Sequence, residues 1–331
     1  MQTVRLSDVE QARKLIAPAI FRTPLVRLPL DTAPEEQVFA KAENLQRTGS
    51  FKLRGAFNFL SRLEPAERAH GVVTHSSGNH AQGVACAARL LGIQATVVIP
   101  EGAPEIKVER TRAWGATIVR CKDSMNDRYD TAREIADAKG ATLVPPFDHP
   151  WIVAGQGTAG LEIVEDLNDV QNVLVCVGGG GLISGIATVL ATACPEAQII
   201  GVEPELAADA AESFETDRLI SWSADRVTRT LADGVRTQRL GELNFSIIRE
   251  HVRGFVTVSE DAIREATRWY ALEAKLVVEP TGALTLAAFH KLRQQGSGTL
   301  RLKPGKTVLL ISGGNIDPQL LASLLSGPGS R

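Results

Sequence analysis

Short apolar runs rich in β-branched residues alternate with longer stretches of helical periodicity along most of this chain, and that alternation constrains the fold more than any other feature. "GVVTHSS" (71–77), "ATVVIP" (95–100), "ATIVRC" (116–121) and "ATLVPPF" (141–147) read as strands. Between them, "NHAQGVACAARLLG" and "APEIKVERTRAWG" carry helical spacing and end at glycine. A second series follows: "NVLVCVG" (172–178), "QIIGVEP" (198–204), "GFVTVS" (254–259) and "KTVLLISGG" (306–314). Nearly all-apolar strands need cover on both faces, and strand–helix alternation permits parallel pairing, so the pattern predicts the α/β class. Two series predict two sheets, with a seam near Pro145-Pro146-Phe147-Asp148-His149-Pro150. Ser326 to Arg331 reads as a loose tail.

At 331 residues the chain can form one large or two modest domains, each with its own core. A formal net charge of −2 gives no field that would draw nucleic acid or an anionic membrane as partner. The four cysteines show no CxxC spacing, so neither a zinc site nor a disulfide framework is expected. Met1 to Ile16 is charged and polar, unlike a signal peptide, and no apolar run has membrane-spanning length. The expected setting is the reducing cytoplasm.

In parallel α/β folds ligands sit beyond the carboxyl ends of strands, and three clusters fall there. Gly178-Gly179-Gly180-Gly181 follows "NVLVCV" and precedes the helical "LISGIATVLATA". Its backbone N–H groups and the helix N-terminus suit an anion, most naturally phosphate. A tight turn alone needs one or two glycines rather than four. No GKS or GKT follows, and the decoy Pro304-Gly305-Lys306-Thr307 has Leu300 where a P-loop has its first glycine. Ser76-Ser77-Gly78-Asn79-His80 either caps a helix or forms a donor nest for a carboxylate; G-x-S-x-G is absent, against a serine hydrolase. Ser312-Gly313-Gly314-Asn315 offers a serine at a buried strand end, able to make one neutral hydrogen bond. Lys52, in "GSFKLRGA", lies between an aromatic and an aliphatic neighbour. It is either a solvated charge near a helix start or an amine held inside the protein.

Taken in order, "SFKLRGA", "SSGNHAQGVA", "VGGGGLISG" and "SGGN" resemble the fold-type II pyridoxal-phosphate (PLP) enzymes, and within them the serine/threonine dehydratase and serine racemase branch. "LADGV" (231–235) and "EPTGALTLAA" (279–288) fit the same branch, and the similarity runs from about Thr23 to Pro318. The resemblance implies a tryptophan synthase β-like fold: two parallel-sheet α/β domains with PLP in the cleft between them. The large PLP-binding domain would be discontinuous, 1–62 and 150–331, and the small domain would be 63–149. By the same resemblance Lys52 forms the Schiff base with PLP, Phe51 and Gly234 flank the ring, and Asn79 meets its phenolic oxygen. Gly178, Gly179, Gly180 and Gly181 hold the phosphate, and Ser312 meets the pyridine nitrogen. Apolar neighbours and a dry pocket favour the unprotonated amine that such a lysine needs. Ser76, Ser77, Asn79 and His80 would receive the substrate α-carboxylate. Arg128 would face the substrate, a solvated helix charge being the alternative.

The implied activity is L-serine/L-threonine ammonia-lyase chemistry with some serine racemase activity, Lys52 and Ser77 serving opposite faces. A dedicated serine racemase, a hydroxyaspartate dehydratase and a non-catalytic PLP-binding carrier or regulator are the alternatives. The substrate would be a small hydroxy amino acid and the assembly a homodimer. In "GVEPELAADAAESF", relatives of the racemase type place a divalent cation, Mg²⁺, Mn²⁺ or Ca²⁺, on Glu203, the Ala207 carbonyl and Asp209. A solvated acidic loop is the alternative there.

Overall fold

The computed structural model describes residues 3–122, 124–294 and 300–326, so the expected tail lies outside the described residues beyond Ser326. Among the described residues, ten strands form two sheets. They are β1 (Leu25–Arg27), β2 (Val38–Ala42), β3 (Val72–His75), β4 (Ala95–Pro100), β5 (Thr117–Cys121), β6 (Thr142–Leu143), β7 (Val170–Cys176), β8 (Gln198–Pro204), β9 (Gly254–Val258) and β10 (Lys306–Ile311). The smaller sheet has the order β5-β4-β3-β6 and the larger the order β1-β2-β10-β7-β8-β9. Every neighbouring pair is parallel except β1–β2.

The eight apolar runs become β3 to β10, though "ATLVPPF" keeps only two residues of strand. After Val144, whose N–H still donates to the Val73 carbonyl at 2.8 Å, come Pro145 and Pro146, and proline has no N–H for a ladder. The chain passes between sheets at this point. Its N-terminal strands β1 and β2 join the second series, so the larger sheet is built from both ends of the chain.

The period-two pleat explains why its strands read as continuous apolar runs. Val173, Val175, Val308 and Leu310 belong to the core on one face, while Leu174, Cys176, Leu309 and Ile311 belong to the core on the other. A third core joins Leu53, Phe57 and Leu60 of the helix Lys52–Ser61 to Ala81, Val84, Val97 and Ile99 around the smaller sheet, and to Ile152. That helix therefore lies between the helices Asn79–Leu91 and Pro150–Asp166. Close approach is possible because Gly83 has no side chain: a Cβ there would stand 3.0 Å from the Lys52 carbonyl carbon. Among the described residues no helix is long and apolar enough to cross a membrane.

Candidate active site

The exit of β10 brings distant segments together. The Phe51 N–H donates to the Ser312 carbonyl at 3.1 Å, Ser50 bridges to Gly313, and the Gly314 N–H donates to the Gly49 carbonyl at 2.9 Å. Residues 49–52 are thus stitched along the segment that carries Ser312. Lys52 then opens its helix. Its amine donates to the Pro146 carbonyl at 3.0 Å and stands 5.2 Å from the centre of the Phe51 ring. Burial lowers the Lys52 pKa to about 8 against a small opposing effect of Cys176. The residue is half-buried, and its amine is turned onto the Pro146 carbonyl rather than left as a free surface charge.

Ser312 Oγ is buried and makes no well-aligned hydrogen bond, with the buried Cys176 thiol beside it. Burial pushes that thiol up to about 11, so it stays protonated. A thiol is a weak hydrogen-bond partner for a buried hydroxyl, so Ser312 keeps capacity for a stronger one. A ring nitrogen placed against Ser312 would satisfy it, which is the fit expected of a PLP pocket.

The glycine loop links β7 to the helix Gly181–Ala193, and Gly180 has φ +93. Its glycines are needed by the protein itself, which corrects the argument from their number. A Cβ on Gly179 would overlap the Phe147 ring, one on Gly180 would lie 2.8 Å from Asn244 Cβ, and one on Gly178 would lie 3.1 Å from Val235 Cα. The Gly179 carbonyl accepts from Asn244 Nδ2 at 2.8 Å and from the Gly241 N–H at 3.1 Å. These contacts fix the loop, and the first N–H groups of the following helix have no partner within the helix. The cradle remains suited to an anion.

Asn79 is held at both ends of its amide. Its Nδ2 donates to Glu279 Oε1 at 2.7 Å, and its Oδ1 accepts from Asn315 Nδ2 at 2.8 Å. Burial, then the charge of Asp233, pushes the Glu279 carboxyl up to about 8, with the Asn79 hydrogen bond opposing. Glu279 and Asn315 stand in the quoted motifs without a role assigned from sequence, and Phe147 and Cys176 likewise carried none. The available signal for Glu279 was a lone carboxylate inside the otherwise apolar "LVVEPTGALTLAA".

In the bend before Asn79, Ser76 Oγ accepts from the Gly78 N–H at 3.2 Å, and Ser77 is half-buried. His80 is buried, with Nε2 3.4 Å from the Val144 carbonyl. Burial, then Lys52 and His75, hold its pKa well below the usual range, so the ring is neutral and its Nε2–H faces that carbonyl. Arg128, on the helix Met125–Lys139, adds its charge to burial in lowering His75 at the end of β3. It therefore lies within electrostatic reach of the serine cluster. Gly234 is exposed, and its N–H donates to Thr281 Oγ1 at 2.9 Å. Its carbonyl oxygen would stand 3.5 Å from a Cβ on Gly178, so "LADGV" borders the glycine loop.

Glu203, Ala207 and Asp209 form a separate group at the end of β8 and the start of the helix Asp209–Thr216. All three are buried. Glu203 accepts from the Ala210 and Ala211 N–H groups at 3.2 and 2.7 Å, whereas neither Asp209 oxygen has a hydrogen-bond partner. Burial, then Asp209, pushes Glu203 well above the carboxylate range, and burial pushes Asp209 up to about 7. Among the described residues no three His, Cys, Asp or Glu side chains form a metal cluster. Two carboxylates and one carbonyl are a smaller donor set, and the two unpartnered Asp209 oxygens suit a hard cation.

Residues 16–314 match the family model for pyridoxal-phosphate dependent enzymes. The chain is 44% identical over 328 residues to an L-threo-3-hydroxyaspartate ammonia-lyase of Pseudomonas sp, covering 99% of this chain and 100% of that one. It is 44% identical over 317 residues to a catabolic L-threonine dehydratase of Escherichia coli (strain K12), covering 95% and 94%. The solved structure of maize serine racemase superimposes with a TM-score of 0.92 at 35% identity, covering 97% of each chain.

Proposed function

This chain belongs to the pyridoxal-phosphate dependent enzyme family, and from that premise we propose that it is an ammonia-lyase acting on small L-hydroxy amino acids, with serine racemase activity as a second outcome. The observation that carries this reading is the low-pKa amine of Lys52, with the buried, neutral Ser312 hydroxyl on the segment that hydrogen-bonds the neighbouring Phe51. Pyridoxal phosphate, when bound, supplies a conjugated electron sink that weakens bonds at the substrate α-carbon. Ser312 would face its ring nitrogen, Gly178 to Gly181 its phosphate, Asn79 its phenolic oxygen, and Phe51 and Gly234 its two faces.

With a pKa of about 8, Lys52 holds a useful fraction of free amine near neutral pH and can take the α-proton. A carboxylate at position 312 would maintain a positive ring nitrogen and so favour a persistent carbanion. The Ser312 hydroxyl withholds that charge, which favours loss of a β-hydroxyl and release of a 2-oxo acid and ammonia. Ser76, Ser77 and Asn79 present donors for the α-carboxylate. Neutral His80 lines this cluster, and Arg128 adds positive charge beside it. Ser77 would serve the face opposite Lys52. A substrate with a second carboxylate is the competing reading, favoured by the 44% identity to the hydroxyaspartate ammonia-lyase.

The same proposal includes a division into 1–62 with 150–331 and 63–149, supported by the separate sheets. It also includes a homodimer, a reducing cytoplasmic setting supported by four free cysteines, and Mg²⁺, Mn²⁺ or Ca²⁺ on Glu203, Ala207 and Asp209. The test is a panel of L-serine, D-serine, L-threonine and L-threo-3-hydroxyaspartate, reading 2-oxo acid and the enantiomer of the remaining substrate. Ser77→Ala should abolish conversion of L- to D-serine and elimination from D-serine, while elimination from L-serine remains measurable. Proportional loss on both enantiomers would defeat the two-face role of Ser77.

A further inference from the structure

Two residues beyond Lys52, the same helix turn carries a fully buried guanidinium. Arg54 Nε and Nη2 donate to the two oxygens of Glu43 at 2.8 and 2.7 Å, and Nη1 and Nη2 donate to those of Glu162 at 2.7 and 2.9 Å. Thr158 Oγ1 and Thr23 Oγ1 accept from it at 3.2 and 3.3 Å. Lys41 Nζ completes the group, donating to Glu162 Oε2 at 2.5 Å and to the Thr23 carbonyl at 2.6 Å. Two cations face two anions, all buried.

We propose that Arg54, gripped by Glu43 and Glu162 with Lys41 as the fourth charge, is a positioning residue that sets where the Lys52 amine lies. The inference rests on the reading of Lys52 as the cofactor-bearing amine. Buried ion networks are poor stabilisers beside apolar packing of the same volume, and their best-attested use is to specify one register. Apolar packing is already supplied to this helix by Leu53, Phe57 and Leu60. What such packing lacks is direction, which a planar fork bound bidentately on two sides provides.

The partners are placed to use that direction. Glu43 lies in the 3₁₀ turn Glu43–Leu45 directly after β2. Thr158 and Glu162 lie on the helix Pro150–Asp166, and so does Gln156, whose Oε1 accepts the Gly55 N–H at 3.1 Å. The segment entering that helix contains Pro146, the acceptor of the Lys52 amine. Arg54 therefore ties the donor and the acceptor of the Lys52–Pro146 hydrogen bond into a single rigid unit.

The test uses Arg54→Lys, which keeps the charge and loses the fork. In the cofactor-free protein, modification of Lys52 by an amine-selective acylating reagent is followed against pH by peptide mass spectrometry, with thermal unfolding and the affinity for added pyridoxal phosphate in parallel. Loss of the fork should raise the midpoint of Lys52 modification by about one pH unit, leaving about tenfold less free amine at neutral pH. Affinity for pyridoxal phosphate should fall with it. A fall in thermal stability with an unchanged modification profile and unchanged affinity would overturn the proposal. Should Arg54→Lys yield no folded protein, Thr158→Val removes one partner of Arg54 and leaves all four charges, and the same two readings decide. Borohydride trapping of the cofactor in the wild type, mapped to its lysine, tests the underlying reading separately.

Discussion

Glu43 and Glu162 are buried against Arg54 and Lys41, whereas Glu203 and Asp209 are buried against each other, with backbone N–H groups on Glu203 and the charge of Glu212 adding to the repulsion at Asp209. In the first cluster burial would push Glu43 up, but the charge and hydrogen bonds of Arg54 win and hold it below its usual value. In the second cluster nothing opposes burial strongly enough, and both carboxyls are raised. Burial is the same and charge balance differs. A balanced cluster needs nothing further and serves as scaffold, while the unbalanced one is where the proposed cation would supply the missing charge.

The contrast is broken most severely by unbalancing the first cluster. Glu162→Gln leaves Arg54 and Lys41 facing one carboxylate and should destabilise the protein by about 3–5 kcal/mol in chemical denaturation. A loss under about 1 kcal/mol would place this network with ordinary surface pairs.

The second cluster should respond to balancing. Between the ordinary carboxylate pKa of about 4 and the Asp209 value of about 7, the folded state binds more protons at this pair than the unfolded chain does. Metal-free protein should therefore lose stability as pH rises through that window. A divalent cation at about 100 times its Kd should restore about 2.7 kcal/mol above pH 7. Asp209→Asn should flatten the pH slope and remove the cation response; an equal response in variant and wild type would remove the cation from this site. The smallest effect is expected from Lys41→Met with Glu162→Gln, which leaves Arg54 balanced by Glu43 and keeps an amide oxygen to accept from its fork. Its stability should change by less than about 1 kcal/mol.

These clusters also mark what the sequence conceals. The strands β3 to β10 were legible because buried parallel strands are continuous apolar runs. β1 and β2 were not, because they span three and five residues and β2 holds Lys41, whose charge is answered by Glu162 from a distant helix. The site was legible as separate motifs at strand ends. Their joining was not, since the Phe51–Ser312 and Asn79–Glu279 hydrogen bonds link residues far apart in the chain. The count of glycines in the 178–181 loop pointed to phosphate, yet much of the need for glycine comes from Phe147, Asn244 and Val235 packed against it.

The most direct measurement of the proposed chemistry is 2-oxo acid release from L-serine and L-threonine by wild-type protein and by Lys52→Ala, each supplied with pyridoxal phosphate. Removing the residue proposed to move the α-proton should cost at least about 10²–10⁴-fold in rate. Wild-type release with that loss in the variant is the predicted result. Near-normal release by Lys52→Ala would contradict the assignment of this amine, and with it the proposed site.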